Sequence, residues 1–140
     1  MDVLETLKAG VLILNDLMAR HQFSESLTAA GRGSGGTFAS AEFLRGNRRF
    51  ELHFRYSLGL VNYHVGNVSL SHEDYMWSVL GKRSASHYPG FSEDPLDGFR
   101  DLRRDLEEYG AAFLSGVDAD FLKCAEHAAL LKRHWSRLPK

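Results

Sequence analysis

Glu42, Glu51, His53 and His64 are the residues of this chain whose types and spacing suit chemistry. Two carboxylates and two imidazoles drawn together can share a proton near neutrality, or hold a divalent cation with coordination positions left open. They lie in a stretch where apolar and polar side chains alternate, so a sheet must bring them together. Phe50, Leu52, Phe54 and Tyr56 alternate with Arg49, Glu51, His53 and Arg55, the period-two pattern of a half-buried strand.

Gly46-Asn47, just ahead of that run, suits a two-residue hairpin turn. It pairs Arg45 with Arg48, Phe43 with Phe50 and Glu42 with Glu51. Beyond the run, a turn at Leu58-Gly59 sets Tyr56 against Val61, Phe54 against Tyr63 and Leu52 against Val65. A one-residue slip would put Asn62 and His64 in the core. A second Gly-Asn pair, Gly66-Asn67, returns Val68 onto Val65 and Leu70 onto Tyr63. The pattern predicts a four-stranded antiparallel meander over about 37–45, 48–57, 60–65 and 68–70, in sequence order.

With that register the opposite sheet face is assigned as well. One row reads Ser40, His53, His64, Ser69; the next reads Phe38, Arg55, Asn62, Ser71; a third opposes Glu42 to Glu51. Opposed carboxylates repel by a few tenths to about 1 kcal/mol unless a cation or a proton comes between them. Arg55 beside Phe38 suits a cation–π contact. The candidate binding face is therefore Phe38, Ser40, Glu42, Arg49, Glu51, His53, Arg55, Asn62, His64 and Ser69. A metal reading of the same face uses His53, His64, Glu42 and Glu51.

Helices must cover the apolar face. Val3, Leu4, Leu7, Val11, Leu14 and Met18 recur at three- and four-residue steps, predicting a helix over about 2–22 capped by Asp2. Ser71 opens a short helix over about 72–80 that Gly81 ends. His72-Glu73 begins like a zinc-protease motif, but Met76 stands where the second histidine belongs. Asp94-Pro95 starts a helix over about 95–114, with Leu96, Phe99, Leu102, Leu106, Tyr109 and Phe113 as its stripe. Arg100, Arg103 and Arg104 among four acids on that helix read as a solvated face. Asp118 caps a last helix over about 118–137, where Cys124, His127 and His134 read as packing and surface groups. Ser24 to Gly36, which holds Gly31-Arg32-Gly33-Ser34-Gly35-Gly36, reads as a flexible connector. It lacks the Lys of a phosphate-binding loop and follows a helix where a dinucleotide motif needs a strand. The fold class is α+β, a single domain over 1–140: a two-layer sandwich with helices on one sheet face and the polar face open.

Composition narrows the function. The chain has 140 residues, with 17 basic and 18 acidic side chains and a formal net charge of −1. That balance argues against broad electrostatic attachment to nucleic acid or anionic membranes. Glu42 and Glu51 within the face would also repel phosphates. A single cysteine, Cys124, permits no intramolecular disulfide and suggests a cytoplasmic setting. The Met-Asp start has no basic n-region, and the longest apolar run, Ala9 to Leu14, is too short to span a bilayer. Nucleophilic catalysis finds no Gly-x-Ser-x-Gly elbow. The expected function is a protein-binding or self-associating module, with a protein partner or a second copy on the open face and no cofactor. Arg45, Arg48 and Arg49 at the hairpin tip are expected to steer a partner electrostatically. In size and class the domain resembles bacterial toxin-neutralising immunity proteins, which implies a protein partner. The alternative is a metal-dependent or acid–base enzyme on the same face, with the 31–36 or 82–94 segment folded over as a lid.

Overall fold

The computed structural model describes residues 2–33, 36–55, 57–83, 86–90 and 92–137; of Thr28, Ala29, Gly33 and Gly36 only the backbone is described. Tyr56, Phe91 and the Ser34-Gly35 pair lie outside these residues, and with Tyr56 its expected pairing.

The order of elements is α1 (Val3–Arg20), β1 (Ser24–Gly33), β2 (Gly36–Arg45), β3 (Arg48–Phe54), β4 (Leu58–Val65), β5 (Val68–Ser71), α2 (His72–Leu80), α3 (Asp97–Tyr109), α4 (Ala111–Leu114) and α5 (Asp118–Ser136). The class is α+β, with an open antiparallel sheet in the order β1-β2-β3-β4-β5. Two expected caps form: Asp2 accepts from the Glu5 amide at 2.8 Å, and Ser71 accepts from the Asp74 amide at 3.1 Å.

Three expectations about the extent of the elements and their caps need correction. First, among the described residues the sheet has five strands, because the segment read as a connector supplies β1, paired antiparallel to β2. Its side chains are mostly small, so the backbone ladder forms it without an apolar alternation to betray it. Second, the long helix expected over 95–114 is two, α3 and α4, broken at Gly110. A Cβ at Gly110 would lie 2.5 Å from the Leu106 carbonyl oxygen, so only glycine fits the tight turn there. The first of the two begins at Asp97 rather than Pro95, with Asp94 accepting from the Leu96 amide at 2.9 Å in the preceding turn. Third, Asp118 is not the cap of α5; Asp120 accepts from the Val117 amide at 3.1 Å, leaving Asp118 free to bond elsewhere.

The strand registers agree at two of three junctions. Ser40 faces His53, Glu42 faces Glu51 and Phe43 faces Phe50, and Tyr63 faces Leu70, as the Gly-Asn turns require. Between β3 and β4 the register slides by an even step: Phe50, not Phe54, faces Tyr63, and Leu52 faces Val61. Leu58, expected in the turn, is 6% exposed and sits in β4 opposite Phe54. Burying that side chain favours the shifted pairing. Gly59 and Leu60 then stand together opposite His53, a β-bulge that turns Leu60 outward. An even slide preserves both faces, so the core expected from the alternation is retained.

The inner face meets the helices through aromatic contacts. Phe99 of α3 stacks on Phe54 at 5.9 Å, and Phe113 of α4 meets Phe50 at 6.0 Å and Tyr63 at 5.0 Å. Tyr75 of α2 stacks on Tyr63 at 4.6 Å, and Phe121 of α5 reaches Phe113 at 5.9 Å. Edge-on and stacked rings at these spacings add specificity to the apolar burial. No described helix is long and apolar enough to cross a membrane.

Candidate functional site

The alternation that packs Phe50, Leu52 and Phe54 inward turns Arg49, Glu51 and His53 outward. Glu51 is the centre of the outer face. Its Oε1 accepts from His64 Nε2 at 3.0 Å and from Asn62 Nδ2 at 3.3 Å, while His53 Nε2 lies 3.3 Å from Oε2. Each imidazole is backed by a serine: Ser69 Oγ is 2.6 Å from His64 Nδ1, and Ser40 Oγ is 3.3 Å from His53 Nδ1. With His64 Nε2–H directed at the carboxylate, its Nδ1 is left to accept from the Ser69 hydroxyl. The result is a chain Ser40–His53–Glu51–His64–Ser69 across four strands.

The opposed carboxylates are relieved within the face itself. Glu42 does face Glu51 directly, but Arg49 Nη1 is 3.7 Å from Glu42 Oε2 and the histidines and Asn62 serve Glu51. Partial burial pushes the Glu51 carboxyl up, yet the hydrogen bonds from His64 and Asn62 and the neighbouring imidazoles outweigh it and hold the group below its usual range.

The two histidines do not sit side by side as the expected register had them. His64 faces Arg49 and Ser69, and the two rings approach Glu51 from different neighbouring rows. Glu42 is turned to Arg49, so the four expected donors do not converge on one point. Among the described residues no three His, Cys, Asp or Glu side chains come together as a metal site. Phe38 and Arg55 do meet, with the guanidinium 5.8 Å from the ring centroid.

The bulge adds a feature the alternation did not signal. Leu60 is 66% exposed and stands between two clefts. One, of about 300 Å³, is lined by Phe38, Ser40, His53, Arg55 and Leu60. The other, of about 290 Å³, is lined by Leu60, Val61, His72, Glu73 and Tyr88. Among the described residues neither expected lid covers the face. The 31–33 end of the glycine run extends β1, and Tyr88 is turned inward, donating to the carbonyls of Leu58 at 2.5 Å and Gly59 at 2.9 Å.

Two of the expected steering arginines are structural. Arg45 donates to the His21 and Leu114 carbonyls at 2.7 Å and lies over the Phe23 ring at 4.7 Å. Arg48 is buried against the end of α4 and Asp118. Only Arg49 of the three is exposed. Arg103, read as part of a solvated face, ties α3 to α1 through Asp16 and the Ile13 carbonyl. His127 donates to the Ser78 carbonyl at 2.8 Å, a packing contact between α5 and α2.

A second polar cluster lies in the core. Tyr63 Oη is 2.6 Å from His72 Nδ1, His72 Nε2 is 2.8 Å from Asp105 Oδ2, and Asp105 also accepts the amides of His87 at 2.8 Å and Tyr88 at 2.9 Å. Burial raises the Tyr63 phenol well above its ordinary range, reinforced by Tyr75 and Asp105. Asp105 sits one helical turn from both Leu102 and Tyr109, inside the apolar stripe of α3. An acid in that position was the available signal for this cluster.

Comparison with protein-family models, curated proteins and solved structures finds no match.

Proposed function

We propose that this chain is a protein-binding module that presents the outer face of its sheet to a partner, in a cytoplasmic setting, and does no catalysis there. One observation carries the reading. The polar centre of the face is satisfied within itself through Glu51, while apolar Leu60 stands out beside the Phe38–Arg55 pair at its end. A partner can cover the hydrogen bonds that Asn62 and His64 make to Glu51, and the one between Ser69 and His64, without orphaning those groups, which would otherwise cost about 1–3 kcal/mol per group. Leu60 then supplies an apolar knob, and Phe38 with Arg55 an aromatic and guanidinium contact of the kind that dominates interface energetics. The two glutamates, and the engagement of Arg45 and Arg48 elsewhere, favour protein over nucleic acid.

A photo-crosslinking residue at position 60, in cells that make the protein, tests this. Val117, at the N-cap of α5 and also 66% exposed, is the matched control. A discrete adduct from position 60, absent from position 117 and weakened by Arg55→Ala, is the expected outcome.

A second reading is favoured by the order of groups in Ser69–His64–Glu51 and Ser40–His53–Glu51. Hydroxyl, imidazole and carboxylate in sequence are the parts of a nucleophilic relay. Labelling of Ser40 or Ser69 by a fluorophosphonate, lost in Glu51→Gln, is the result that would favour it. Unlabelled serines would leave the binding reading alone.

A further inference from the structure

We propose that a second copy of this chain docks on the free edge of β1, the two strands pairing antiparallel about a twofold axis between Thr28 and Ala29 and joining the two sheets into one. The inference goes beyond the outer-face reading and uses a different surface. Among the described residues β1 is a ten-residue edge strand, and one row of its backbone donors and acceptors is outside the ladder. The other edge, β5, is four residues long and runs directly into α2.

The bulge in β1 gives the edge its specificity. The register against β2 shifts between Leu27 and Ala29, so that Glu25 and Leu27 before it, and Ala30 and Arg32 after it, all share the helix-side face with Phe43, Ala41 and Ala39. In a regular strand Glu25 and Arg32 would point to opposite faces. About the proposed axis, Glu25 meets Arg32 of the second copy and Leu27 meets Ala30, each pair occurring twice. Sliding the strands by two residues in either direction loses both matches. Neither Glu25 nor Arg32 forms an ion pair with another described residue, and Lys8 is the other charge lining the neighbouring cleft. That cleft, about 290 Å³ between α1 and β1, is lined by Leu7, Val11, Leu12 and Leu27. Leu12 is 71% exposed and Leu27 50%, an apolar strip at the edge that a second copy would cover.

Sedimentation equilibrium over a wide concentration range, with circular dichroism to confirm folding, tests the proposal by charge exchange. The wild type is expected to approach twice its chain mass of 15.7 kDa. Glu25→Arg alone and Arg32→Glu alone should each weaken the dimer by about tenfold, since each places like charges together at two symmetric positions. The double exchange should restore wild-type association. Leu60→Asp, on the outer face, should leave the mass unchanged, so this result is read apart from the fate of the outer-face reading. A wild type that stays at the chain mass throughout, single variants that associate normally, or a double exchange that stays dissociated would each overturn the proposal.

Discussion

Asp105→Asn is expected to destabilise the fold by roughly 3 kcal/mol, the largest effect of any single conservative change here. Asp105 is 0% exposed, and both its oxygens accept: Oδ1 from the His87 amide, Oδ2 from the Tyr88 amide and from His72 Nε2. Asparagine has one oxygen, and in either orientation its NH2 confronts an N–H that needs an acceptor. Three elements depend on the carboxylate. His72 starts α2, Asp105 lies on α3, and His87 and Tyr88 belong to the segment between them. In a chain of this length each kcal/mol shifts the midpoint by a few degrees, so the melting temperature should fall by about 10 °C. Asp105→Ala should be at least as damaging, because it removes both oxygens and leaves a void. A loss under about 1 kcal/mol for asparagine, measured by urea titration, would mean that the cluster is not holding these elements together.

Arg48→Met is expected to cost about 3 kcal/mol, and Arg48→Lys to recover only part of it. The guanidinium is buried and donates to the Phe113 carbonyl, to the Gly116 carbonyl at 2.6 Å and to Asp118 at 3.1 Å. Carbonyls at a helix end have no partner within the helix, and here one side chain from the β2–β3 hairpin supplies them. Methionine fills the volume but leaves the carbonyls unmatched and Asp118 without its charge partner. Lysine places a single ammonium where a planar fork spans three acceptors. If thermal melts show Arg48→Lys equal to wild type, the forked geometry carries no energy of its own.

These two residues also show what the sequence conveys and what it does not. Asp105 interrupts the apolar stripe of α3, and that anomaly can be seen in the helical spacing, although its partners cannot. Arg48 carries no such mark. At a hairpin tip beside Arg45 and Arg49 it reads as exposed charge, and only the path of the chain from α4 into α5 brings acceptors to it. The β2–β3 register was legible because Gly46-Asn47 restricts the turn and Phe50, Leu52 and Phe54 restrict the face. The β3–β4 register was not, since Leu58 fits a turn by position and a core strand by burial, and burial wins. That choice separates His53 from His64, creates the bulge and exposes Leu60. β1 gave no signal because its small side chains have little to bury; its ladder with β2 supplies what the pattern lacks.

The outer face depends on those same elements. Glu51, His53 and His64 were expected on one face and lie on one face, with His64 hydrogen-bonded to Glu51 and His53 beside it. The most direct measurement of the central claim is the yield of photo-crosslinked adduct from position 60 compared with position 117 in cells. A partner bound on the outer face gives a discrete adduct from position 60, little from position 117, and less from position 60 when Arg55 is alanine. Equal yields at the two positions, or no adduct at position 60 under conditions where the protein is folded, would contradict it.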